Sequence, residues 1–238
     1  MRRAAVLAVA LALVPLPAAA DVTARYDLGR EALTVEVDEG GDYRAEVAGK
    51  VMLLRRGGVD YVVIFQGTTP LVVERQAFLA LATNKVSGMF PKSAGERRDM
   101  LVASAGEETV AGRRGTLWTI RAEKPGGKAI QAVMSADRDL APVGAVFASV
   151  LDAGLQTFGA LLPDSNLAER IREVMAKGAP LRLVLMEELQ LRSVSKAEID
   201  AARFALPGPV MDASAFDQAM SAATTTTTVT VPPPPPLP

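Results

Sequence analysis

Apolar and polar positions alternate with a period of two through the first third of the chain. Val22–Asp27, Leu33–Asp38, Tyr43–Ala48, Lys50–Arg55, Val59–Gln66 and Pro70–Arg75 are short runs rich in Val, Leu, Tyr and Thr, and Gly29, Gly40–Gly41, Gly49, Gly57–Gly58 and Gly67 fall between them. Such runs recurring every eight to ten residues or so, with turn residues between, predict an antiparallel meander. Leu33, Val35 and Val37 oppose Thr34, Glu36 and Asp38, which gives that strand one dry and one wet face. Val59–Phe65 is apolar on both faces and predicts a central or covered strand. The period then lengthens. Phe78, Leu79, Ala82 and Val86 within Gln76–Val86 follow helical spacing. Ser87–Asp99 reads as a loop, and Met100–Ala103 and Glu108–Ala111 as two short strands.

The pattern is strongest from Gly112 to Leu162. In Thr116–Glu123, Trp118, Ile120 and Ala122 share one face. Pro125–Gly126–Gly127 turns the chain, and Lys128–Met134 returns with Ile130, Ala132 and Met134 alternating likewise. The 23 residues Leu140–Leu162 that follow carry one charge, Asp152. Val143, Phe147, Val150, Leu151, Leu155, Phe158 and Leu162 step by threes and fours along one stripe, and Ser149, Asp152, Gln156 and Thr157 group opposite. The stripe has three readings. The default is a core helix. A membrane span has the length, but its grouped polar residues and glycines argue against it. The third is a lid over a sheet whose other side takes something apolar.

Pro163–Asp164–Ser165 supplies a stop and a cap. Leu167, Ile171, Val174 and Met175 then form the stripe of a second, amphipathic helix ended by Gly178. Pro180–Met186 and Glu188–Ser195 predict a closing pair of strands. Phe204 and Leu206 belong to a last extended piece ending at Pro207–Gly208–Pro209, and Asp212–Ala222 is a short helix. From Thr224 the chain is Thr- and Pro-rich and predicts a disordered tail, its prolines extended.

Composition changes the picture at the N-terminus. Met1–Arg2–Arg3, an apolar Ala4–Leu16 and Pro17–Ala18–Ala19–Ala20 before Asp21 describe a secretory signal peptide with cleavage after Ala20; the apolar run is short for a retained anchor. The organisation expected is therefore signal peptide 1–20, one domain over 21–209, a helical segment 210–223 and a tail 224–238. The chain beyond residue 20 has a net charge of about −3, too balanced for a nucleic-acid binder.

The candidate chemistry is thin. The sequence contains neither His nor Cys, which removes the commonest general base, thiolates and the commonest metal ligands. No metal, cofactor or catalytic residue is assigned. Ser193–Val194–Ser195–Lys196 has the Ser-x-x-Lys form of penicillin-recognising enzymes, but that chemistry places the Ser at a helix start with two companion motifs, and here the Ser ends a strand without them. The acid pairs Asp38–Glu39, Glu107–Glu108 and Glu187–Glu188 read as solvated turn or edge residues. Arg55–Arg56, Arg97–Arg98 and Arg113–Arg114 read as solvated turns, or as a rim for anionic head groups.

Several phrases carry a resemblance. Gly106–Glu107–Glu108–Thr109–Val110–Ala111–Gly112, Leu117–Trp118–Thr119–Ile120, Gly178–Ala179–Pro180–Leu181–Arg182–Leu183 and Phe204–Ala205–Leu206–Pro207–Gly208, taken in this order of elements, resemble an exported bacterial domain-of-unknown-function family related in fold to the LolA/LolB lipoprotein carriers. The resemblance covers Asp21 to Pro209 and leaves out the Thr/Pro tail. It implies an α+β fold, mainly β: a curved antiparallel sheet forming an unclosed half-barrel, covered by two or three helices. For the carriers it further implies a cavity that takes acyl chains of lipoproteins. With the signal peptide and the thin chemistry, the expectation is a periplasmic or secreted, non-catalytic protein, not integral to the membrane after cleavage, that binds a lipid or a lipoprotein acyl chain. The residues expected to face the cavity are Trp118, Ile120, Phe147, Leu151, Phe158, Leu183 and Leu185. The alternative is an envelope module that meets a partner through its Pro-rich tail and holds no small ligand.

Overall fold

Alternation does produce strands, and they join into one sheet. The computed structural model describes residues 21–89, 99–123, 129–158, 166–185 and 187–226. The signal peptide, most of the predicted loop 87–99, the turn at Pro125–Gly127, the stop at Pro163–Ser165 and the tail beyond residue 226 lie outside the described residues. Six strands run first: β1 Val22–Leu28, β2 Glu31–Val37, β3 Tyr43–Val47, β4 Val51–Arg56, β5 Val59–Gln66 and β6 Thr69–Glu74. Helix α1 follows at Arg75–Met89, then β7 Met100–Val110, β8 Arg113–Ala122 and β9 Ile130–Ser135. Helices α2 Ala141–Phe158 and α3 Leu167–Met175 lead to β10 Ala179–Val184 and β11 Glu188–Ser195. The chain closes with β12 Val210–Met211 and α4 Ala213–Thr226.

Among the described residues the sheet order is β12-β6-β5-β4-β3-β2-β1-β11-β10-β9-β8-β7. It is antiparallel throughout except where β12 runs parallel to β6. Two meanders thus meet at one seam, where β1 pairs with β11 through Thr23↔Ser195 to Leu28↔Leu189. The sheet is open, with β7 and β12 at its edges, and it is strongly curled. Strands β7 and β11, four places apart in the order, have Cα atoms within 8 Å of each other, where a flat sheet would hold them about 19 Å apart. Val110 of β7 accordingly packs in the same core as Leu189 and Leu191 of β11.

Two expectations change. The two short strands of 100–111 are one strand, because a bulge between Ser104 and Glu107 absorbs the polar break, with Gly106 at φ +115°. Phe204 is not in an extended piece. The Asp200 carboxylate accepts from the Ala202 N–H at 2.9 Å and starts a 3₁₀ turn, Ala201–Phe204. That turn lowers Phe204 onto Met52, Leu54, Val63 and Val72 on one face of the sheet. On the opposite face Val62, Leu71 and Val73 pack against Phe216 of α4 and Phe78 of α1. Strands β4–β6 are therefore buried on both sides, which accounts for the two-faced apolar run Val59–Phe65.

Candidate functional site

The most apolar helix, α2, crosses the sheet at an angle that its glycines explain. At its start the Asp137 carboxylate accepts from the Asp139 N–H at 3.0 Å and caps a 3₁₀ turn, Arg138–Leu140, that leads into the helix. Leu140, Val143 and Val146 are buried against β1, β2 and β10 in the main core. Gly144 lets the backbones meet, since a Cβ there would lie 3.0 Å from the Ala179 nitrogen and 3.1 Å from the Gly178 carbonyl. Three turns on, a Cβ at Gly154 would meet nothing within 4 Å. The helix is pressed onto the sheet at its first half and stands off it at its second.

Its polar face is tied at both sides. Ser149 accepts from Arg75 of α1 at 2.8 Å, and Asp152 accepts from Arg172 of α3 and from Gln156, each at 2.8 Å. The hydrogen bond from Arg172 holds the Asp152 carboxyl below its usual range. The bonds from Arg75 and Arg172 link α2 to α1 and α3, and the one from Gln156 lies within α2. The segment Arg138–Thr157 is long and apolar enough to cross a bilayer by length and composition, but here its stripe is spent on the sheet and on the space beneath it.

That space is a cavity of about 1010 Å³, at the upper end of the range of about 300–1,000 Å³ typical of small-molecule sites. Phe147, Leu151, Gly154 and Leu155 of α2 form one wall, and Leu167 and Ile171 of α3 continue it. The opposite wall comes from Leu28 and Leu33 at the β1–β2 turn, Ile130 of β9, Leu183 and Leu185 at the end of β10, and Leu189 of β11. Glu187 is the one charged residue among the described lining residues. Most of these side chains are only half-buried, and Leu185 is 42% exposed. The floor is rigid. Tyr26 is buried and meets Phe147 edge-on at 5.1 Å, and its hydroxyl donates to the Pro180 carbonyl at 3.1 Å. Burial pushes the Tyr26 phenol well above its ordinary pKa, which keeps that proton in place.

Of the seven residues expected to face a cavity, Phe147, Leu151, Leu183 and Leu185 line this one. Ile120 is buried under α3 and borders a void of about 10 Å³, which it shares with Leu151, Ile171 and Leu183, and not the large cavity. Trp118 packs in the same α3 cluster with Lys177 Nζ 5.1 Å from its ring centre, and its indole N–H has no partner among the described residues. The Phe158 side chain lies outside the described residues. Sequence reading missed Leu155, Leu167, Ile171, Leu28, Leu33, Ile130, Leu189 and Glu187. The first three lay on the two helical stripes already identified. Leu33 lay on the apolar face of an alternating strand, for Leu28 the signal is only its place beside the Gly29 turn, and for Glu187 none existed. Elsewhere, Ser193 sits within β11 opposite Arg25, and Lys196 pairs with Asp139.

Among known proteins, no family model matches the chain and no curated protein matches it. Among solved structures, MucB is similar with a TM-score of 0.31 at 15% identity, over 79% of this chain and 57% of that one. MucB in complex with MucA(peri) is similar with a TM-score of 0.32 at 13% identity, over 80% and 56%. The chain thus spans a little over half the length of these structures, and a likeness this low carries no argument about function.

Proposed function

We propose that the protein is a non-catalytic, exported carrier or receptor that holds an apolar or lipidic ligand between α2, α3 and the curled sheet, in a LolA-like half-barrel. The observation that carries this reading is the cavity. Soluble proteins bury large aliphatic side chains where packing allows, yet here Leu, Ile and Phe side chains from seven elements surround about 1010 Å³ and most of them remain half-buried. A ligand would complete their burial, at about 0.8 kcal/mol for each methylene withdrawn from water. The open, curled sheet with helices on one face supports the half-barrel reading. A periplasmic location and a lipoprotein or envelope partner follow from the same reading and from the N-terminal sequence.

The test is uptake of a neutral apolar fluorophore, N-phenyl-1-naphthylamine, by the purified protein and by Gly154→Trp. The substitution places a large side chain in open space, at a helical position with no left-handed backbone to strain. The expected result is saturable uptake by the parent protein, weakened roughly tenfold in the variant as methylene-sized contacts are displaced, with an unchanged circular dichroism spectrum. No uptake, or equal uptake by both, would overturn the reading.

A further inference from the structure

We propose that Glu187 makes this cavity selective for the head group of its ligand: amphiphiles with cationic or neutral, hydrogen-bond-donating heads are accepted, and carboxylate- or phosphate-headed ones are rejected. This rests on the apolar-ligand reading above.

Three observations converge on Glu187. It is the one charged residue among the described lining residues, so a ligand whose tail lies among Leu151, Leu155 and Leu183 meets a negative charge where its head emerges. No Lys or Arg is among those lining residues, Arg30 of the adjacent turn included. Second, the carboxylate is seated. Gly29 has φ +60°, and a Cβ there would lie 2.8 Å from a Glu187 carboxylate oxygen, so this acid lies directly on the glycine backbone. The Gly29 N–H donates to the Glu188 carbonyl at 3.0 Å, and the Leu185 N–H donates to the Glu187 carbonyl at 3.4 Å. The first bond holds the β1–β2 turn against the β10–β11 turn, and the second closes the β10–β11 turn.

Third, Glu187 has no ion-pair partner among the described residues, whereas three acids on nearby strands do. Asp27 pairs with Arg192, Glu31 with Lys50 and Glu108 with Arg182. An unneutralised carboxylate beside low-dielectric walls acts on a nearby charge more strongly than the same group on an open surface.

The experiment displaces N-phenyl-1-naphthylamine with three probes sharing a dodecyl-length tail: dodecyltrimethylammonium, dodecanoate and lauroyl glycerol. The proteins are the parent chain, Glu187→Gln and Glu187→Arg. In the parent the cation should bind about fivefold more tightly than dodecanoate at low ionic strength, and the gap should narrow as salt is added. Glu187→Gln should bring the two together, Glu187→Arg should reverse them, and lauroyl glycerol should bind all three proteins alike. Dodecanoate binding the parent as well as the cation does, or a preference that survives in Glu187→Gln, would overturn the proposal while leaving the cavity reading intact. Failure of lauroyl glycerol to bind would overturn both.

Discussion

At the scale of single residues, the arginines show how much depends on partners far away in sequence. Arg55 and Arg113 sit beside turn glycines and read as solvated, or as part of a head-group rim. In the fold Arg55 donates to Asp60 through Nε at 2.7 Å and Nη2 at 3.0 Å, lies 5.1 Å over the Tyr43 ring, and shares Asp60 with Arg75 at 2.5 Å. Arg113 pairs with Asp137. Burial pushes the Asp60 carboxyl up, but the hydrogen bond from Arg55 and the charges of Arg75 and Arg55 outweigh it and hold the group below its usual value. A carboxyl depressed in the folded state stabilises above its unfolded pKa, and that contribution is lost as the pH falls through the folded one. Asp60→Asn should therefore cost about 2 kcal/mol at pH 7, and the cost should shrink as the pH drops below about 4. Urea melts of both proteins across that range measure it. A cost that stays constant into acid would assign the effect to shape and not to charge.

At the scale of elements, α2 carries its geometry in two glycines that do opposite things. Gly144→Ala drives a methyl group into the Ala179 and Gly178 backbone and should cost about 1–3 kcal/mol by overpacking. Gly154→Ala meets nothing and should stabilise by about 0.5–1 kcal/mol, the usual helical preference for Ala over Gly. Thermal melts of the pair test the tilt directly, and equal effects would mean the helix lies parallel to the sheet. The strands, the hairpin and α2 itself were legible because periods of two and about 3.6 survive in one dimension. The joined β7 was not, because a bulge inserts residues without leaving a turn signature. The tilt of α2 was not either, since both glycines interrupt the same stripe and only the facing backbone tells them apart. For the same reason the cavity could not be read off. A collapsed core and a propped-open one use the same side chains.

At the scale of the whole molecule, the sheet is unevenly supported. Strands β4–β6 lie between Phe204 on one face and Phe78 and Phe216 on the other, while β7 at the far edge leaves most of its residues exposed. Leu54 is fully buried in the two-sided half, and Leu54→Ala should cost about 2–5 kcal/mol. Hydrogen exchange should be slowest in β4–β6 and fastest in β7. Comparable protection at both ends would mean that the sheet opens as one unit.

The seam between β1 and β11 has a consequence for how the chain reaches this state. Asp27 and Arg192, which pair across it, are 165 residues apart, and the Tyr26 hydroxyl finds Pro180 across 154. Among the described strands the first is therefore completed by the eleventh, and such non-local pairing makes folding slow. Until Glu188–Ser195 emerges, β1 presents a bare ladder of backbone donors and acceptors to any other extended chain nearby. A chain that has made β1 but not yet β11 is thus open to mispairing along that edge.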